Sequence, residues 1–146
     1  MTVTRIGMTT ALALGVWLIA AAAQAQISSL PENQKLIDGY TLTMDNIRKV
    51  AVANQMFKAT NKKAADEGDN AVEQPLSKQW EKIEKGDTTG ILPKVGISAR
   101  DLMLTLTTVM QTTIDVQLKA KPRTATNAAN MEMFKKNQAE IMQAIR

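Results

Sequence analysis

Cysteine and histidine are both absent from the chain. Without cysteine it can form no disulfide, hold no metal through thiolates, use no thiol nucleophile and carry no lipid on an N-terminal cysteine. Without histidine it lacks the commonest general base and the commonest metal ligand. Aromatic residues make up only 3% of the sequence, and charges of both signs are interspersed along a chain of net charge +4. A nucleic-acid binder needs a basic stripe, with aromatics on which unpaired bases can stack, so nucleic acid is not among the expected partners. The remaining Asp, Glu, Ser and Lys residues show no paired spacing of the kind hydrolytic or nucleophilic chemistry requires. The expectation is therefore a non-enzyme with no cofactor. Asp66, Glu67 and Asp69 lack the alternating oxygen ligands and closing glutamate of a Ca²⁺ loop, and they read as a solvated turn.

What is present first is an export signal. Arg5 supplies a positive start, and residues 11–23 (ALALGVWLIAAAA) form an unbroken apolar or small run. Ala23 and Ala25 then place small residues where a signal peptidase reads them, predicting cleavage between Ala25 and Gln26. The run falls short of the roughly 20 apolar residues that a spanning helix needs, so no stable membrane anchor is expected after cleavage. With no lipid site and no second hydrophobic segment, the expected destination is the bacterial periplasm or the medium.

Residues 26–39 (QISSLPENQKLIDG) mix polar residues with Pro31 and Gly39 and read as a flexible leader. Residues 40–146 read as one helical domain, too short for two. Thr43 can cap a helix running to about residue 63, with Met44, Ile47, Val50, Ala51 and Phe57 on one face. A shorter helix is predicted over about 72–85, with Val72, Leu76, Trp80 and Ile83 on its apolar side, and a further turn over 91–95 ends at Gly96. Ser98-x-x-Asp101 has the capping-box form and opens a run with no charge between Asp101 and Asp115. This predicts a mostly buried helix over 99–119, ended by Pro122, with Leu106 and Val109 at its most buried positions. Asn127 is the expected cap of the last helix, lined by Met131, Phe134, Ile141, Met142 and Ile145. The fold class expected is all-α: a small antiparallel helical bundle of three to four main helices after the cleaved signal.

Three stretches, residues 40–49 (YTLTMDNIRK), 95–105 (VGISARDLMLT) and 127–141 (NAANMEMFKKNQAEI), resemble an uncharacterised family of small exported all-helical bacterial proteins. That family carries LTMD-like, GLSARE-like and NxxFxxxN-like segments in this order after a signal peptide. The resemblance implies an exported helical domain and brings no activity with it.

Two sets of residues are candidates for a site. Asn54, Thr113 and Gln138 fall midway in apolar stripes, where a polar group must find a partner. They line either a small-ligand cavity or a satisfied core network. Methionines are the second set, because thioethers suit the soft ion Cu(I). Met131 and Met133 would diverge on a helix, whereas Met103 and Met110 share a face. Gap-filling in the core is the competing reading for all of them. Lys119, Lys121 and Arg123 cluster near a helix end, where they complement the helix dipole. The function expected is a non-catalytic periplasmic protein that binds a protein partner or a small molecule; the alternative is a methionine-based Cu(I) carrier using Met103 and Met110.

Overall fold

The computed structural model describes residues 30–60 and 75–146. The signal segment, the predicted cut after Ala25 and the acidic turn at Asp66, Glu67 and Asp69 lie outside the described residues. Among the described residues 79% are helical and none is in a strand, so the all-α class holds. The helices are α1 (Pro31–Gly39), α2 (Met44–Thr60), α3 (Leu76–Gly86), α4 (Ile91–Val95), α5 (Ala99–Gln117) and α6 (Ala125–Ala144).

The first correction is α1. The segment expected to be a flexible leader is helical from Pro31, whose fixed φ suits the first helical position. Its Asn33 and Ile37 are 0% and 2% exposed, so the helix is docked on the body. Two asparagine side chains explain the docking. Asn33 Oδ1 accepts the Leu76 backbone N–H at 2.9 Å, filling an open donor at the start of α3. The extended link after α1 is clamped by Asn130, whose amide accepts from Leu42 N at 2.9 Å and donates to Tyr40 O at 2.8 Å.

α5 is central, contacting α1, α2, α3 and α6. Ser98 caps its start: Ser98 Oγ accepts from Asp101 N at 2.9 Å and donates to the Asp101 carboxylate at 2.8 Å, so the acid meets the cap's hydroxyl where a full capping box would have it meet the cap's backbone N–H. The uncharged stretch beyond it is buried on most sides, as its lack of charge predicts. Val109 is fully buried, but Leu106 is only half-buried against the cluster around Val50 and Leu92, and Leu104 takes the deep position instead. Leu104 faces Ile37 of α1 and Leu76 of α3, and no periodicity within α5 could announce a layer supplied by the leader. The threonines survive in the helix by bonding back to it: Thr107 Oγ1 donates to Met103 O at 2.7 Å, and Thr113 Oγ1 to Val109 O at 2.8 Å. Thr108 and Thr112 are as deeply buried, yet their hydroxyls have no partner among the described residues.

Two helix boundaries also differ from expectation. α5 stops at Gln117, before Pro122, because Lys119 adopts a left-handed φ of 52° and the Ala120 N–H turns back to Asp115 O at 2.8 Å. α6 is capped by Thr124 rather than Asn127: Thr124 Oγ1 accepts from Asn127 N at 3.0 Å. Asn127 occupies the third position, and its side chain accepts from the Arg123 N–H at 3.1 Å, one residue before the cap.

Candidate functional site

Between α1 and the start of α5 lies an open groove of about 520 Å³, lined by Glu32, Lys35, Leu36, Gly39, Tyr40 and Arg100. Its apolar wall is anchored in the core. Leu36 and Tyr40 both pack on the cluster of Ile37, Leu76 and Leu104. The Tyr40 hydroxyl fixes the ring from behind. It accepts from Asn46 Nδ2 at 3.0 Å, lies 3.0 Å from Thr105 Oγ1, and donates toward Asp101 Oδ1 at 3.3 Å. Burial pushes this hydroxyl above its ordinary pKa, and the Asp101 charge adds to the rise against the bonds from Thr105 and Asn46. Tyr40 is thus a phenol held in place by its neighbours.

The groove's cations are less committed. Among the described residues Arg100 reaches only Asp101, at 4.0 Å, and that carboxylate already bonds to Ser98 and Tyr40. Lys35 forms no ion pair among the described residues. A guanidinium carries five donors, so most of the binding capacity of Arg100 faces solvent.

A second groove, of about 290 Å³, is lined by Glu84, Asp87, Gly90, Leu92, Pro93, Ile97, Ser98 and Ala99. Its most reactive group is already spent: the Asp87 carboxylate accepts the N–H groups of Ile91 and Leu92 at 2.7 and 2.8 Å and holds α4 in place.

The densest polar cluster is at the other end of α5. Arg123 grips Asp115 with both terminal nitrogens, at 3.0 and 2.9 Å, while its Nε donates to Asp38 at 2.8 Å. Gln111 and Asn127 add donors to Asp115 at 3.0 and 3.2 Å, and Gln34 adds one to Asp38 at 2.9 Å. Burial alone would raise the Asp115 pKa, but the bonds from Arg123, Gln111 and Asn127 outweigh it and hold the group below its ordinary value. Every strong group here has its partner, so this cluster is a clasp between α1, α5 and α6 with little capacity left for a ligand. The reading of Arg123 as a helix-dipole partner missed this role. The available signal was Asp115 itself, an acid closing an apolar run and therefore in need of a buried cation.

The sequence candidates fall elsewhere. Thr113 is buried and bonded to its own helix, Asn54 is half-buried, and Gln138 is exposed. None of the three lines either groove. Gln138 is exposed just after a kink in α6 at Asn137, whose φ and ψ are −120° and 19°. The Asn137 side chain donates to Met133 O at 2.9 Å across that break. Met103 packs on the Ile37, Leu76 and Leu104 cluster, and Met110 lies half-buried outside the three core clusters. Met44, Met133 and Met142 pack around Phe134 and Ile141, and Met56 packs near Val50. Among the described residues no group of three acids, cysteines or histidines could hold a metal, and no helix is long and apolar enough to cross a membrane. Comparison with protein-family models, curated proteins and solved structures finds no match.

Proposed function

We propose that this chain is an exported, non-catalytic helical protein that binds a partner or small ligand, and that the groove between α1 and α5 is where it does so. The observation that carries the reading is the contrast within that groove: a wall fixed to the core by Tyr40 beside two cations, Lys35 and Arg100, with little to neutralise them. Its volume of about 520 Å³ falls in the range of small-molecule sites, roughly 300–1,000 Å³. The composition supports the absence of catalysis, since the chain has neither cysteine nor histidine.

Export rests on residues 1–25. Intact mass of the protein recovered from the periplasm tests it: a chain beginning at Gln26 supports the reading, and one that retains residues 1–25 defeats it. Binding is tested in producing cells by a photo-crosslinking residue at Lys35, with Lys82 as the control position. An adduct formed at Lys35 and absent at Lys82 is the expected result. Equal labelling at both would remove the groove from consideration.

A further inference from the structure

We infer that the α1–α5 groove accepts a small amphipathic carboxylate, its acid group between Lys35 and Arg100 and its apolar body along Leu36 and the Tyr40 ring. This rests on the groove being a binding site, as proposed above, and adds the chemistry of the molecule that enters it.

Three features of the lining select that chemistry. Leu36 and Tyr40 offer hydrocarbon and a ring face, both seated on the buried Ile37, Leu76 and Leu104 layer, so an apolar body loses water against a wall that does not need to move. Gly39 leaves the groove open: a Cβ built there would meet no atom within 4 Å. The charged groups then choose the head. Arg100 has a planar guanidinium whose one ion-pair contact among the described residues is long, at 4.0 Å, and such a fork matches a carboxylate with two parallel bonds.

Glu32 narrows the choice further. It is the single acid among the lining residues, against two cations, so those residues by themselves carry a net charge of about +1, with Asp101 behind Arg100 at 4.0 Å. A monoanion balances that charge. A phosphate dianion would bring excess negative charge beside Glu32, and a cation would face Lys35 and Arg100. Six lining residues and a cavity of this volume suit a small molecule with one charged end better than an extended peptide.

Sodium octanoate and octanol are the probes, because they share a chain length and differ in the head. Each is titrated into isotopically labelled protein while the backbone amides of Leu36, Gly39, Tyr40 and Arg100 are followed by NMR. Octanoate should shift these amides saturably, and octanol should bind at least about 5-fold more weakly. Lys35→Gln and Arg100→Gln should each weaken octanoate about 3-fold, the worth of one exposed ion pair, and leave octanol unchanged. Gly39→Leu should block both probes by filling the opening, with circular dichroism confirming that the fold is kept. Octanol binding as tightly as octanoate would overturn the carboxylate assignment while leaving the groove as a site. Saturable shifts confined to other residues, or none with either probe, would overturn the groove itself as a small-molecule site.

Discussion

The two ends of α5 treat charge in opposite ways. At its C-terminal end Asp115 is buried and saturated: Arg123 grips both oxygens, and Gln111 and Asn127 fill the remaining positions. At its N-terminal end Asp101 takes two hydroxyl bonds, from Ser98 and Tyr40, but Arg100 beside it makes only a long contact among the described residues, and Lys35 across the groove pairs with no acid there. A buried charge persists only when its partners are supplied by the protein. An exposed one can be left to water and thus to a ligand. The distinction separates a structural clasp from a candidate site, although both are built from Asp and Arg on the same helix or beside it.

That contrast can be broken by substitution. The largest effect should come from the layer between the two ends. Leu104→Ala removes a fully buried side chain beneath both the groove wall and α1 and should cost about 2–5 kcal/mol, measured by urea unfolding. Leu106→Ala, on a half-buried side chain, should cost clearly less; equal losses would mean that the deep layer has been misplaced.

Arg123→Met comes next, at about 2 kcal/mol, because it strips charged hydrogen bonds from a buried carboxylate. The pH dependence sharpens this. Folding lowers the Asp115 pKa, so the clasp adds stability above the ordinary carboxylate value of about 4 and loses it as pH falls through the folded value. The wild type should therefore lose stability in acid more steeply than Asp115→Asn. Parallel acid-unfolding curves for the two would show that Asp115 titrates normally.

Thr108→Val should move the other way. The Thr108 hydroxyl is buried without a partner among the described residues, and valine keeps the shape without that group, so a gain of about 1 kcal/mol is expected. A loss in thermal unfolding would reveal a partner for this hydroxyl. The smallest effects should fall on the groove: Arg100→Gln and Lys35→Gln should each change stability by less than about 0.5 kcal/mol, since neither side chain is engaged in a strong pair. A larger loss would make these cations part of the scaffold and erase the contrast between the two ends.

Much of the local structure was legible along the chain because its causes lie within a few residues of one another. Ser98 caps α5 by accepting from Asp101 N three residues on, Thr43 accepts from Asn46 N at 3.2 Å as a cap should, and Gly96 ends α4 with a left-handed φ of 75°. The uncharged run after Asp101 stated that α5 is buried. Errors arose where the deciding partner is distant in sequence. Residues 26–39 read as a leader from their mix of polar residues with Pro31 and Gly39, yet within the described part Asn33 serves α3 and Asp38 serves Arg123. Gln138 keeps the apolar phase in the sequence, yet it lies exposed just after the kink at Asn137.

What the amino-acid sequence determined by itself was the class: helices with their caps, a central apolar helix, an export signal as an expectation, and the exclusion of thiol and imidazole chemistry. Those come from composition, period and near-neighbour bonds. The tertiary structure alone decided which polar residues are spent and which are free. Arg100 and Arg123 are alike as letters. One meets Asp38, 85 residues away, together with Asp115, and becomes a clasp. The other faces a groove walled by Leu36 and Tyr40 from another part of the chain and keeps its donors. Side-chain chemistry is local, but its satisfaction depends on contacts that only the packing of α1 against α5 creates.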